Sequence, residues 1–184
     1  MGVQILRNTL KPWLLNLLAC PIDKHSPLEA YFFRWETKEA DIENVSAEAG
    51  KPKKGLEDKY RILKKQLVDG TISPPAFAVI KDKTGSKAAA SLHAKTVKLL
   101  LGKPESKEDL DTLYGYMYVL ELGEGLLYCS ECNRWYPIGS AVEGIPELMP
   151  DELREEEKDL AWLEKWKKVT PEGVLVKGKP FKPK

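Results

Sequence analysis

The chain has 184 residues, with 42% hydrophobic and 31% charged residues and a formal net charge of +1. That length supports one domain with a real core, or a small core with an embedded second module. The balanced charge gives no global field to draw the chain to nucleic acid or membrane, and no window reaches the ~18 consecutive apolar residues of a membrane-spanning helix.

The start does not read as a secretory leader. Asn16 interrupts the run Leu14, Leu15, Leu17 and Leu18, and no clean small-residue cleavage site follows. Three cysteines, an odd number, fit poorly with a secreted disulfide framework. We therefore expect a cytoplasmic protein.

Residues 10–20 are predicted to form a short helix, with Pro12 in its first turn, Trp13, Leu14, Leu17 and Leu18 on one face, and Pro21 as its stop. Residues 28–35 are aromatic-rich and predict a strand with Tyr31, Phe33 and Trp35 on a shared face. Residues 36–55 are polar and punctuated by Gly50, Pro52 and Gly55, which reads as a linker or solvated loop. Helices are predicted over 56–69, 87–101 and 107–118, the last opened by Ser106 with Asp109 in a capping-box position. Between the first two, Pro74-Pro75 predicts an extended break.

Strands are then expected at 117–122 and 126–129 around a Gly123-Glu124-Gly125 turn, and again at 134–138. Residues 144–150 form an extended apolar stretch whose prolines exclude a central strand. A charged helix is predicted over 151–168 with Leu153, Leu160, Leu163 and Trp166 on a narrow stripe, followed by a lysine-bearing tail, 169–184, disordered at its end.

The chemistry-bearing residues are the cysteines. Cys129 and Cys132 form a C-x2-C knuckle, which turns two sulfurs toward one point, and Cys20 offers a third thiolate. For a fourth zinc ligand, spacing favours Asp23, three residues after Cys20, whereas ligand chemistry favours His25. The plainer readings are a redox pair at Cys129 and Cys132, without the strand-to-helix setting such motifs use, and a metal-free core in which Cys20 is a small buried hydrophobe. His93 stands on a predicted helix apart from the cysteines and reads as a surface or half-buried histidine.

Three motifs in order, Leu14 to Pro21, Leu127 to Ile138 and Gly144 to Leu148, resemble the small zinc-ribbon activator subunit of class I methyltransferases. This is the multifunctional tRNA methyltransferase activator family of eukaryotes and archaea. The resemblance covers about 60 residues, 10–35 and 117–150, and places 36–116 where longer members carry a helical insert. Asp23 departs from the cysteine the family has there, which bears on zinc occupancy rather than on the fold.

The resemblance implies an α+β fold, a small antiparallel zinc-ribbon-like sheet with an N-terminal helix and a helical insertion, to which the charged pattern of 151–168 adds a C-terminal helix outside the resemblance. It divides the chain into a zinc-ribbon-like domain, 1–35 plus 117–150, an inserted helical module, 36–116, and a C-terminal helix and basic tail, 151–184. It implies a non-catalytic subunit that forms a heterodimer with a methyltransferase acting on tRNA, rRNA or a release factor, partly by pairing sheet edges. Trp135, Tyr136, Ile138, Ile145, Pro146, Leu148 and Met149 are the candidate partner contacts, because an apolar, proline-broken segment is awkward to bury in so small a sheet. Of Trp135 and Tyr136, one is expected in the core and the other exposed.

The alternative is a nucleic-acid-binding zinc ribbon associated with translation. It would use Arg134, Trp135 and Tyr136, with Lys167, Lys168, Lys177, Lys179, Lys182 and Lys184 following phosphates. An enzyme in its own right is disfavoured: there is no nucleophile–base pair, phosphate loop or cofactor fingerprint, and Glu155-Glu156-Glu157 reads as a solvated face.

Overall fold

The computed structural model describes residues 9–183; residues 1–8 of the expected zinc-ribbon-like domain and Lys184 of the predicted basic tail lie outside them. A four-stranded sheet has the order β2-β1-β3-β4, with β1 Glu29–Trp35, β2 Ile80–Asp82, β3 Leu122–Tyr128 and β4 Trp135–Ile138. The β1–β3 and β3–β4 pairs are antiparallel, and β2 joins β1 in parallel. With seven α-helices described around this sheet, the fold is α+β as expected.

Alternation along the strands gives the sheet two apolar faces. On one, Ala30, Phe32, Trp35, Leu122, Leu127, Tyr136 and Ile138 share a single buried cluster with Ile42, Tyr60, Leu63, Leu92 and Leu113. Those partners come from α1 Glu39–Glu48, α2 Glu57–Val68, α4 Lys87–Leu101 and α5 Lys107–Tyr114. The helices of residues 36–116 thus lie on the sheet, and β2 extends it. On the other face, Tyr31, Phe33, Leu126 and Trp135 are covered by Trp162 and Leu163 of α6, Glu156–Trp166, and Val174 of α7, Glu172–Lys177.

Several local expectations are corrected. The first predicted helix is a 3-10 turn over Pro12–Leu17, after which Leu18 is extended. Asn16 is its tether: the side-chain Nδ2 donates to Trp13 O at 3.1 Å, and Oδ1 accepts from Ser73 N at 2.8 Å. Trp35 does not share a face with Tyr31 and Phe33, because the β1–β3 register shifts between Phe32 and Trp35 and carries Trp35 to the helical side. The polar stretch 36–55 contains α1, held by one fully buried apolar residue, Ile42.

Pro74-Pro75 opens helix α3, Pro74–Ala78, where the missing N–H groups are orphans in any case. Ser106 caps α5 as expected, accepting from Asp109 N at 3.0 Å, and Ser86 caps α4 in the same way, accepting from Ala89 N at 3.1 Å. Residues Gly115–Val119 continue α5 as a π-helical turn rather than a strand. The Gly123-Glu124-Gly125 segment is no turn: β3 runs through it. A Cβ on Gly125 would lie 2.6 Å from Tyr31 O, so the glycine serves close strand approach.

In the C-terminal region, Leu153 is exposed and Trp162 takes the buried place on the apolar stripe. The tail holds α7 and then meets β4, with Lys179 bridged to Arg134.

Candidate metal centre

Two turns far apart in sequence have the same backbone. In the first, Cys20 N donates to His25 O at 2.9 Å and Lys24 N donates to Cys20 O at 3.0 Å. In the second, Cys129 N donates to Arg134 O at 2.8 Å and Asn133 N donates to Cys129 O at 2.9 Å. Lys24 and Asn133 hold the matching left-handed conformations, with φ of 64° and 62°. In this correspondence Asp23 stands where Cys132 stands, three residues after the leading cysteine. His25 corresponds to Arg134, which carries no ligand.

The side chains converge accordingly. One ligand atom from each of Cys20, Asp23, Cys129 and Cys132 lies within 4.8 Å of the others. Cys20 Sγ and Cys132 Sγ are 3.6 Å apart, far beyond a disulfide bond. Tetrahedral zinc with ~2.3 Å Zn–S bonds needs sulfurs about 3.8 Å apart, so the donor set fits that ion. Cys129 Sγ donates to Asp23 Oδ2 at 3.3 Å. His25 lies outside the group, with Nε2 3.4 Å from Ser130 Oγ.

Electrostatics sort the donors. Burial pushes the Cys129 thiol up to about 12 and raises Cys132 as well. Asp23 is held well below the usual carboxylate range, first by the His25 backbone N–H donating to Oδ1 at 3.0 Å and further by the surrounding thiols, against a smaller opposing effect of burial. Without metal the site is a carboxylate that accepts from thiols. A bound zinc would lock the two turns together, and its capture requires the thiols to give up their protons.

Two neighbours support the sulfurs, and the sequence reading assigned them otherwise. Tyr136 Oη lies 3.2 Å from Cys20 Sγ, and burial first, then Cys20, keeps this hydroxyl protonated. It is placed to donate to a thiolate. Arg134 is clamped by Asp151, with Nε 3.0 Å from Oδ1 and Nη2 2.8 Å from Oδ2, and also interacts with Cys132. The signal for both was local: they are two and four residues past Cys132.

The candidate partner residues separate into two groups. Trp135, Tyr136 and Ile138 are each 0% exposed, so both aromatic residues are buried rather than one. The reason is that the sheet is covered on both faces. Ile145 is 37% exposed, and Pro146, Leu148 and Met149 are half-buried. His93 is half-buried against Tyr116, and Glu155-Glu156-Glu157 is solvated. Lys167, Lys168, Lys177, Lys179 and Lys182 are exposed. No helix among the described residues is long and apolar enough to cross a membrane.

A family model described as Trm112p-like protein matches residues 11–139, which takes in both knuckles and everything between them. None of the curated proteins compared with the chain matches it.

Proposed function

The chain belongs to the Trm112p-like family of methyltransferase activators, and from that premise we propose that it is a non-catalytic subunit that binds and activates a class I methyltransferase. The observation that carries this reading is the matched pair of knuckles, which joins the two halves of the family's sheet at Cys20, Asp23, Cys129 and Cys132. In this reading those four residues hold zinc, with Asp23 rather than His25 as the fourth ligand. Residues 1–35 with 117–150 form the metal-binding unit, 36–116 is an insertion into it, and 151–184 is an appendage.

The methyltransferase docks along β4 and the adjoining Ile145, Pro146, Leu148 and Met149, the apolar residues with accessible surface there. It forms a cytoplasmic heterodimer with this chain and acts on tRNA, rRNA or a release factor. The exposed lysines Lys167, Lys168, Lys177, Lys179 and Lys182 favour a subsidiary role in holding an RNA substrate for the complex.

Co-expression with the class I methyltransferases of its own genome tests the reading. The expected result is a one-to-one complex in which methyl transfer or solubility of the enzyme depends on this chain. If every candidate is equally soluble and active alone, the reading is wrong. The salt dependence of RNA binding by the complex, with Lys167, Lys168, Lys177, Lys179 and Lys182 replaced by Gln, checks the lysines: an unchanged slope removes them from the account.

A further inference from the structure

Strand pairing needs backbone groups that are free, and the outer edge of β4 is engaged by the chain itself. Asn133 O accepts from Lys179 N at 2.9 Å, and Trp135 N donates to Lys179 O at 3.1 Å. Trp135 O accepts from Arg154 Nη1 at 2.5 Å. Pro137 has no N–H, and its carbonyl accepts from Glu147 N at 2.9 Å; Gly139 N donates to Ile145 O at 3.0 Å.

All of the groups that close this edge come after residue 139, where the family match ends. They fall into two sets. Residues 145–147 follow β4 directly and are tied down by Gly144, whose N–H donates to Gly123 O at 2.8 Å and whose carbonyl accepts from Leu10 N at 2.9 Å. Residues 151–181 are a C-terminal appendage whose one backbone pairing with β4 runs through Lys179. Side chains hold the rest: Trp162 and Trp166 rest on Phe33 with ring centroids 5.9 and 5.3 Å away, Trp162 stacks on Trp135 at 6.2 Å, and release also breaks the polar ties of Asp151 to Arg134, of Lys165 and Trp166 to Glu124, and of Trp135 Nε1 to Phe181 O.

We propose that residues 151–181 are a displaceable strap occupying the surface that a methyltransferase strand takes. This rests on the activator reading above. The strap supplies the Lys179 carbonyl that accepts from Trp135 N and the Arg154 guanidinium that donates to Trp135 O, and it covers Tyr31, Phe33, Leu126 and Trp135 while the chain is alone. The partner it fits is an extended, edge-strand segment of the methyltransferase. That segment offers its own backbone pair to Trp135 and apolar side chains to Phe33 and Trp135. Exchange keeps both backbone groups of Trp135 bonded, with a partner C=O in place of Lys179 O and a partner N–H in place of the Arg154 guanidinium, and replaces one apolar cover with another, so binding is gated by release of the strap.

Residue-resolved hydrogen exchange on the full chain tests the strap without a partner. The amides of Trp135, Gly178 and Lys179 are expected to exchange together, at least about 10-fold faster than those of Cys129 and Leu122, through a local opening. Equal rates in the two groups would make the strap a fixed layer and overturn the proposal. The second arm uses a recombinant class I methyltransferase first recovered with the full chain. In its complex the Lys179 amide loses protection while that of Trp135 keeps it. Trp162→Ala binds about 10-fold more tightly, as expected when the competing state is weakened, and Lys179→Pro serves the same end should Trp162→Ala fail to fold. A complex in which Lys179 stays protected overturns displacement. If no class I methyltransferase is recovered with the full chain or with Trp162→Ala, the activator reading fails, and the free-chain exchange tells that failure apart from failure of the strap.

Discussion

Arg154 and Trp135 are joined twice: the guanidinium carbon stands 4.6 Å from the centre of the Trp135 ring, and Nη1 donates to the Trp135 carbonyl. The arginine is 8% exposed, so its charge requires a partner inside the protein, and Asp159 Oδ2 lies 2.7 Å from Nη2. Burial pulls Arg154 below and pushes Asp159 above their ordinary pKa ranges, each opposed by the other's charge. The first turn of α6 is thereby fastened to the outer strand of the sheet.

Removing one member of this pair leaves the other charge buried. Asp159→Ala is expected to lower stability by about 3–5 kcal/mol. Replacing both, as Arg154→Met with Asp159→Leu, costs less than that single change, because only the Trp135 carbonyl is left without its donor, worth about 1–3 kcal/mol. Denaturant unfolding followed by tryptophan fluorescence checks both. A double variant as unstable as Asp159→Ala would show that the charges are not the determining feature.

Glu124 ties the same C-terminal layer to β3. Its Oε2 accepts from Lys165 Nζ at 2.7 Å and Trp166 Nε1 at 2.8 Å, while Oε1 accepts from Arg34 Nε at 3.2 Å. Burial alone would raise its pKa, but these donors outweigh it and hold the carboxyl below the ordinary glutamate value. The folded chain therefore keeps Glu124 ionised where the unfolded chain already binds a proton. The stabilisation is complete well above the ordinary glutamate pKa of about 4.3 and is lost as pH falls through the lower folded-state value. Melting temperatures measured over this acidic range should fall more steeply for the native chain than for Glu124→Gln; parallel curves would exclude Glu124 as the cause.

The fold was legible where periodicity and capping act locally. α2 follows from Tyr60 and Leu63 at helical spacing, the end of α4 from Gly102 and Pro104, and α5 from the Ser106 cap. α1 was hidden because a single buried residue, Ile42, anchors an otherwise polar helix. The bulge that turns Trp35 over depends on pairing with β3, a partner nearly ninety positions on, and no local pattern encodes it. At the site, spacing alone pointed to Asp23 and ligand softness to His25. The turn geometry brings the Asp23 carboxylate, and not the His25 ring, among the three sulfurs, and that geometry rests on hydrogen bonds invisible in a string of letters. The burial of both Trp135 and Tyr136 was beyond reach for a similar reason: it requires knowing that α6 and α7 return to the sheet.

Gly125 was read as a turn residue, and its place inside β3 yields a sharp expectation. A methyl group there would press on Tyr31 O at 2.6 Å and on Leu122 Cδ2 at 3.2 Å, both in the packed centre of the sheet. Gly125→Ala should destabilise by about 1–3 kcal/mol, the usual range for overpacking. Gly173→Ala, where a Cβ meets nothing within 4 Å, should be tolerated. Equal midpoints for the two variants in urea would contradict the close approach of β1 and β3.

In the proposed zinc site Asp23 is the one donor that is not a thiolate, so exchanging it for cysteine should strengthen the site. Asp23→Cys is expected to raise zinc affinity at least about 10-fold, since a thiolate is the softer ligand. Asp23→Ala should weaken binding, while His25→Ala leaves it nearly unchanged. Uptake must also strip protons from thiols, of which Cys129 is pushed up to about 12 by burial. Apparent affinity should therefore climb as pH rises from about 6 to 8, with measurable proton release. Titration against a chromophoric chelator, at several pH values, reads all of these. A loss on His25→Ala comparable to that on Asp23→Ala would transfer the fourth position to the imidazole and break the correspondence between the two turns.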